Sequence, residues 1–356
     1  MSTHVELIPF LSDDNPKVRE LAIRELSSFT TSVDLCYSLV THGVLKPVVS
    51  LLADSDPNVV HFAITILINI SAEQDLLSQL INSGLVSVLM EHIMSNSQWP
   101  FLQLALMLLS NLSISEEGSQ TLMQENSNLE GSFIIKLLVE MAKPVSSDSD
   151  KCSFIPQIIA NVSRLSSFKN LILIRQPSLL EFVLEQLTSS NIRRRGGSVA
   201  TLRNLLFSED CHLELLTDPK DLVWNSLKRG LSVKNLESDP YILLLLAECL
   251  FLLTSTEKAM KILRDFDVEE LINELMSHLN DDSNQFDDSD RVEVCSILEK
   301  TLKRLDDYNF VDVQLVTDKD PLEPKSIPKV DVEKHDFEEK GGEIPDEMES
   351  FMAELE

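Results

Sequence analysis

The chain has 356 residues, of which 43% are hydrophobic and 6% are aromatic, and its formal net charge at pH 7 is -28. The 9 glycines are too few for the many tight turns of an all-β fold, so the composition favours helices. The acidic balance makes nucleic acid an unlikely main partner, because such binding depends on Lys and Arg neutralising phosphates.

Several features bear on the cellular compartment. The five cysteines lie far apart, mostly within apolar helical patterns, and we interpret them as reduced thiols. The chain starts Met-Ser-Thr-His-Val-Glu-Leu, which lacks the basic and apolar stretches of a secretory signal. The longest apolar run, residues 241–253, has 13 residues and contains Glu248, so it is too short to span a bilayer. We therefore expect a cytoplasmic protein, with some nuclear presence allowed and no membrane partner.

The predicted elements repeat along the chain. Residues 5–11 form a short amphipathic helix, and Asn15-Pro16 then opens a helix to about Phe29, with the proline in a first turn that tolerates it. Asp56-Pro57 and Asp239-Pro240 open later helices in the same way. Four helices end around an asparagine, at Asn69, Asn111, Asn161 and Asn204. Their spacings of 42, 50 and 43 residues are typical of an α-solenoid of armadillo or HEAT length.

Shorter helices come before each long one. Gly43 and Gly84 each begin a middle helix, and this three-helix pattern favours armadillo repeats over two-helix HEAT repeats. We predict an all-α, armadillo-type solenoid of six to seven repeats over residues 1–305, whose stability is a sum of contacts between neighbouring repeats. The run 241–253 is interpreted as a helix buried between repeats, with Glu248 facing the groove or water.

The composition changes after residue 305. Residues 306–356 hold 17 acidic residues and 5 lysines, several prolines and few large apolar residues. Such a segment buries too little apolar surface to offset its ordering entropy, so we predict a disordered acidic tail.

A basic segment interrupts the acidic chain. Residues 164–203 contain seven Arg and Lys and only two acids, a local net charge of +5. Gly196 and Gly197 lie inside a helical pattern in this segment, although each costs about 1 kcal/mol relative to alanine in a helix interior. Either the helix begins only at Ser198, or the absent side chains let another backbone come close.

We predict no catalytic residues, no cofactor site and no metal site from the sequence. Cys211-His212 is the only adjacent thiol and imidazole, and no further ligand lies at zinc-site spacing around it. Gly196-Gly197 lacks the spacing and the Lys-Ser/Thr ending of a phosphate-binding loop.

The asparagines at the helix ends have two interpretations. In armadillo proteins that bind extended peptides, an asparagine at this place faces the groove and hydrogen-bonds the peptide backbone as both donor and acceptor. Alternatively, each asparagine satisfies local carbonyl groups. Nuclear-import receptors pair each asparagine with a tryptophan four residues earlier, whereas this chain has Thr65, Met107, Gln157 and Ala200. Binding of nuclear-signal peptides is therefore not expected.

The central motif resembles a known family. Arg194-Arg195-Gly196-Gly197, followed by Thr201-Leu202-Arg203-Asn204 and Phe207, is similar to the central motif of the Hgh family of armadillo-like chaperones for elongation factor 2. The resemblance extends over residues 1–305, beginning with Glu6-Leu7-Ile8-Pro9-Phe10-Leu11 and Asn15-Pro16-Lys17-Val18-Arg19. It implies a non-enzymatic adaptor that binds newly made eukaryotic elongation factor 2. The implied further partners are the cytosolic chaperonin and a tetratricopeptide co-chaperone of the heat-shock-90 system.

We predict that a monomer binds its client through the basic segment and the helix-end asparagines. Arginines there could form bidentate bonds with client carboxylates, and the small residues could permit close packing. The predicted protein-binding residues are Arg193, Arg194, Arg195, Gly197, Arg203, Asn204, Asn161, Asn111 and Asn69. One alternative is that Arg194 and Arg195 only balance the charge of neighbouring acidic repeats. Another is a ribosome- or RNA-associated scaffold that uses the same basic segment.

Overall fold

The computed structural model describes residues 3–96, 98–143, 150–217, 221–281 and 286–307. The predicted acidic tail, 306–356, therefore lies outside the described residues except for its first two positions. All the regular secondary structure in these ranges is helical, which confirms the all-α prediction.

One partial repeat and six three-helix repeats follow one another in the described residues. In chain order the helices are α1 (Thr3–Glu6) and α2 (Pro16–Phe29); α3 (Val33–Thr41), α4 (Leu45–Ser50) and α5 (Pro57–Ser71); α6 (Leu77–Asn82), α7 (Leu85–Ser95) and α8 (Leu102–Leu112); α9 (Glu116–Met123), α10 (Ser132–Met141) and α11 (Ile155–Val162); α12 (Ser166–Asn170), α13 (Ser178–Glu185) and α14 (Ile192–Leu206); α15 (His212–Leu216), α16 (Leu222–Leu231) and α17 (Pro240–Leu253); α18 (Glu257–Asp265), α19 (Val268–Leu279) and α20 (Asp288–Asp306). This arrangement confirms six to seven armadillo-type repeats.

Short helical turns of other types complete the repeats. The 3-10 helices are Ile8–Ser12, Leu51–Ala53, Gln74–Leu76, Gln186–Thr188, Glu209–Cys211 and Val233–Asn235, and Leu171–Arg175 is a π-helix. The predicted helix over residues 5–11 is thus divided into α1 and a 3-10 helix, because Pro9 cannot donate a backbone hydrogen bond.

The long third helices begin where the sequence pattern places them. Asn15, Asp56 and Asp239 accept a hydrogen bond from a first-turn backbone N–H of α2, α5 and α17, and a proline follows each one. Asn191 caps α14 in the same way, by accepting from the N–H of Arg193 at 2.9 Å. Side-chain capping therefore sets the start of these third helices locally.

The middle helices begin after a residue with left-handed backbone conformation. Gly43, Gly84 and Gly131 have φ of +83°, +80° and +86°, and they lie just ahead of α4, α7 and α10. Asp221 and Asp267 take the same place ahead of α16 and α19, with φ of 48° and 56°. The prediction that Gly43 and Gly84 begin middle helices is confirmed, because a left-handed residue suits glycine best.

Successive third helices stack directly on one another from α2 to α20 and form one layer, which we call the third-helix layer. Apolar residues of this layer, such as Ile23, Ile64, Leu106 and Leu202, have no exposed surface and form a continuous core with the other helices. Helix α17 is buried between its neighbours as predicted, with Ile242 to Ala247 all buried.

A separate observation concerns helix length and composition. Within the described ranges, no single helix is both long and apolar enough to cross a membrane. Two sharply bent helix pairs meet the length and composition test together: Val33–Thr41 with Leu45–Ala53, and Pro57–Ser71 with Gln74–Asn82.

Candidate protein-binding site on the third-helix layer

The two adjacent glycines lie inside one continuous helix. Helix α14 runs through both of them, so the alternative start at Ser198 is wrong. A Cβ built on Gly197 would lie 2.5 Å from the carbonyl carbon of Pro156 in α11, whereas a Cβ on Gly196 would meet only Ile242, at 3.6 Å. The backbone of α11 therefore approaches α14 at Gly197, and Gly197 serves packing inside the solenoid. This corrects its assignment as a protein-binding residue on the surface.

Arg194 is also internal, since only 3% of its surface is exposed. Its Nε and Nη2 donate to the two carboxylate oxygens of Asp150, at 2.6 and 2.8 Å. Its Nη1 donates to the carbonyl oxygen of Met141 at 2.8 Å and to Oε1 of Gln186 at 2.6 Å. These bonds join α14 to the preceding repeat, so the assignment of Arg194 as a surface contact is corrected as well.

Arg195 joins α14 to the following repeat. Its Nε and Nη2 donate to the carboxylate of Glu237 at 2.7 and 2.9 Å, and its Nη1 donates to the carbonyl oxygen of Ser189. Burial alone would raise the pKa of Glu237, but the hydrogen bonds from Arg195 and from the backbone N–H of Asp239 outweigh it and lower that pKa below its usual value. Arg195 therefore stabilises the ionised form of a buried carboxylate.

The same arrangement occurs at the first junction of the solenoid. Arg19 in α2 donates from Nε to Asp54 at 2.8 Å and from Nη1 to the carbonyl oxygen of Asp13 at 2.9 Å. The spacing of the residues in the sequence could have predicted the pairs Arg19–Asp54 and Arg195–Glu237. Each arginine lies four residues after the capping asparagine of its helix, and each acid lies two residues before the next Asp-Pro. The same pairing of an arginine with an acid of the next repeat thus occurs at two junctions of the solenoid.

Arg203 pairs with the acid that was expected to face the groove or water. Its Nε lies 2.5 Å from Oε2 of Glu248, and 16% of the Glu248 side chain is exposed, so this carboxylate is paired and mostly shielded from water. The guanidinium of Arg203 also lies over the ring of Phe207, 4.8 Å from its centroid. Phe207 itself is 50% exposed. This stack presents an aromatic edge to solvent beside the α14–α17 junction.

Arg193 differs from the other three arginines of α14. It is exposed, its guanidinium lies 4.6 Å from the centroid of the Phe154 ring, and no ion pair holds it in the described part of the chain. Arg194, Arg195 and Arg203 each pair with a carboxylate. Most of the positive charge of α14 is therefore balanced inside the solenoid, as the charge-balancing alternative for Arg194 and Arg195 predicts.

The four helix-end asparagines bond to the preceding repeat. The side-chain nitrogens of Asn69, Asn111, Asn161 and Asn204 each donate at 2.9 Å to a hydroxyl, on Thr30, Ser71, Ser113 and Ser163 respectively. Asn204 donates also to the carbonyl oxygen of Ala160, at 2.9 Å. The amide nitrogens are thus engaged between repeats, with groups about 40 residues away rather than with local carbonyls. The oxygen of Asn161, which is 4% exposed, accepts from Nε2 of Gln157 at 3.3 Å. Peptide binding by these asparagines stays a prediction.

The hydroxyls explain where the row of asparagines ends. Ser71, Ser113 and Ser163 each lie two residues after a helix-end asparagine, and the corresponding residue in α14 is Leu206, which has no hydroxyl. The residue of α17 that corresponds to the asparagines is Leu252. In α20 that position is Arg304, which donates to the carbonyl oxygen of Phe251 at 3.4 Å and stacks on its ring at 3.8 Å. The signal in the sequence is an asparagine in one repeat matched by a hydroxyl in the repeat before it.

The side chains of Cys211 and His212 are buried in the core. Burial raises the pKa of the Cys211 thiol to about 11, which disfavours the reactive thiolate. His212 is 1% exposed, and its Nε2 lies 2.7 Å from the carbonyl oxygen of Leu206. Within the described residues, no group of three or more His, Cys, Asp or Glu side chains could hold a metal ion.

The solved structures with similar folds are armadillo proteins. A computationally designed armadillo repeat protein for modular peptide recognition matches with a TM-score of 0.51 at 16% identity, covering 84% of this chain and 98% of that chain. A chain from a structure on the phosphorylation switch between cadherin and β-catenin matches with a TM-score of 0.61 at 20% identity, covering 85% of this chain and 52% of that chain. At these identities the similarity shows the fold alone.

Sequence relatives identify the family. A protein named "Protein HGH1 homolog" from Xenopus laevis is 28% identical over 199 residues, covering 50% of this chain and 55% of the relative. The homolog of the same name from Dictyostelium discoideum is 29% identical over 121 residues, covering 33% of this chain and 34% of the relative. The matches thus span between a third and about half of these relatives.

A family model also matches, and it extends beyond the basic segment on both sides. The model, described as a domain of unknown function (DUF383), covers residues 93–292, which is more than half of the chain. Together with the armadillo fold, these matches point to a non-catalytic scaffold that binds other proteins. The chain belongs to the Hgh family, whose DUF383 domain here contains helix α14 and both of its junctions.

Proposed function

We propose that this protein is a non-enzymatic chaperone adaptor that binds newly made eukaryotic elongation factor 2 and links it to the cytosolic chaperonin and a tetratricopeptide co-chaperone of the heat-shock-90 system. Family membership and the central motif of α14 support the proposal. It also places the protein in the cytoplasm as a monomer. The choice of contact surface rests on the arginines of α14, because Arg193 is exposed and has no ion pair within the described residues, whereas Arg194, Arg195 and Arg203 are each paired with a carboxylate.

The client surface is a set of arginine and aromatic groups centred on α14 and the start of α17, which we call the central patch, and its exposed members are Arg193, Phe207 and Tyr241. It consists of Arg193 with Phe154, Phe207 with Arg203, and Tyr241. Phe207 and Tyr241 are 50% and 45% exposed. Arginine and aromatic side chains dominate binding energy in protein interfaces, since they bury large rigid surfaces and form directional bonds. The third-helix layer holds both helices in a fixed relation through Arg203 and Glu248.

The binding test uses the exposed members of the central patch. The double variant Arg193→Glu and Phe207→Ser should weaken binding to purified elongation factor 2 at least about tenfold, the loss of one interface hot spot. Reversing Arg195 or Arg203 would be a poor test, because it would break an internal ion pair. Arg24→Glu is the matched control, since Arg24 is an exposed arginine of α2 in the same layer. Full affinity in a folded double variant would refute the contact surface.

The same preparation decides between the adaptor and the RNA-associated scaffold. Recovery of elongation factor 2 from lysate should be unchanged by nuclease treatment if the adaptor proposal is correct. Loss of the partner after nuclease would support the scaffold. The internal pairing of three α14 arginines weighs against RNA binding, because paired guanidinium groups release fewer phosphate counterions.

A further inference from the structure

A second basic surface lies at the ends of the middle helices. A cavity of about 630 Å³ opens where α16 ends and the chain turns towards α17, beside the end of α19. We call it the edge pocket. Its polar lining includes Arg229, Lys234, His278, Ser226, Asn235 and Ser238.

The edge pocket carries positive charge that the structure does not balance. Arg229 and Lys234 are exposed, and neither forms an ion pair in the described part of the chain. Among the described residues that line the pocket, the one acidic group, Glu237, is already paired with Arg195. Two free cations and one histidine therefore face the same space, in a chain whose total formal charge is -28.

A pocket at the corresponding edge of an earlier repeat shows that the fold alone does not make this place basic. That pocket lies between the ends of α4 and α7 and is lined mainly by apolar residues, among them Val49, Val88 and Met94, with Glu91 as its acid. The two pockets share a position in the repeat but differ in charge. The basic lining is therefore a property of the residues chosen for α16 and the turn after it.

The acidic character of the whole chain does not prevent an anion from binding here. At physiological ionic strength the Debye length is about 8 Å, so exposed charges farther away are largely screened. The charges within that distance of a bound group decide the interaction. Arg229 and Lys234 line the pocket directly and supply that local attraction.

We propose that the edge pocket binds an acidic peptide segment of a partner protein. The fork of Arg229 accommodates a carboxylate by two parallel hydrogen bonds, and Lys234 attracts a second carboxylate as a compact charge. The side chains of Ser226, Asn235 and Ser238 offer further donors for peptide carbonyl groups. The cavity of about 630 Å³ leaves room for a peptide segment beside these donors.

The test measures binding of a defined probe to the full chain. The probe is a fluorescein-labelled ten-residue peptide rich in Glu and Asp, followed by fluorescence anisotropy at about 0.15 M salt. The same peptide with Gln and Asn in place of Glu and Asp is the charge control. We expect the acidic peptide to bind at least about tenfold more tightly than the amide peptide.

The variant Arg229→Glu with Lys234→Glu should weaken binding of the acidic peptide at least about tenfold, with an unchanged helical circular dichroism spectrum. Lys17→Glu with Arg24→Glu makes the same change in net charge on exposed positions of α2 and should change affinity by less than about twofold. Equal effects of the two double variants would overturn the proposal, as would binding only of a phosphorylated peptide or of inorganic phosphate. Because no elongation factor 2 is present, this outcome is independent of the proposed client.

Discussion

The junction between α5 and α8 and the junction between α11 and α14 belong to the same layer but use different chemistry. In the described residues the first has a hydrogen bond from Asn111 to Ser71 and a contact between the rings of His61 and Phe101, and both helices bury apolar residues such as Ile66 and Leu108. The second adds the close approach at Gly197 and the buried ion pair of Arg194. Apolar packing tolerates small shifts between helices, whereas a forked ion pair requires one orientation. The comparison indicates that the central junction fixes the relative position of its helices more strictly.

Removing the buried arginine should have the largest effect on stability. Arg194→Met would leave Asp150, whose side chain is only 11% exposed, with neutral donors on Asn191 and Cys152 but without its positively charged partner. We expect a loss of about 3–5 kcal/mol in the free energy of unfolding, because an uncompensated buried charge remains. Urea unfolding followed by circular dichroism measures it. Arg193→Met is the control on the same helix turn and should stay within about 0.5 kcal/mol of the original chain. Similar losses in both variants would show that Arg194 has no special role.

The two glycines of α14 should respond in opposite directions. Gly197→Ala forces a methyl group against the Pro156 backbone and should destabilise the chain by about 1–3 kcal/mol. Gly196→Ala places its methyl group at an ordinary 3.6 Å from Ile242 and should stabilise the helix by up to about 1 kcal/mol. Thermal unfolding of the two variants side by side measures the difference. If Gly197→Ala were also stabilising, the two helices could not be as tightly packed as described.

The asparagine bonds should contribute least, and more at buried positions than at exposed ones. Asn161→Ala removes three hydrogen bonds at a residue that is 4% exposed, which are those donated to Ser113 and to the carbonyl oxygen of Ser110 and the one accepted from Gln157. We expect a loss of about 1–3 kcal/mol, because buried groups lose a partner. Asn69→Ala removes one bond at a partly exposed site and should cost about 1 kcal/mol or less. Equal losses in chemical unfolding would contradict a dependence on burial.

The helical class, the repeat length and many of the helix starts could be predicted from the sequence. These features depend on local signals, such as the capping of α2 by Asn15 and the left-handed glycine ahead of α7. A cap or a turn acts within a few residues, so the pattern that encodes it is contiguous in the chain. The basic segment and the unusual glycine pair could also be identified from the sequence. The contacts that these residues make could not be predicted from it.

Which of these residues face inward depends on how the repeats pack against one another. Arg193, Arg194 and Arg195 are adjacent in sequence, yet the first is exposed, the second bonds to the preceding repeat and the third to the following one. Consecutive residues of a helix point about 100° apart, so neighbours in the chain meet different elements. Their acidic partners, Asp150 and Glu237, lie more than 40 residues away in opposite directions. The register of one repeat on the next brings these charges together, and that register depends on packing along the whole layer.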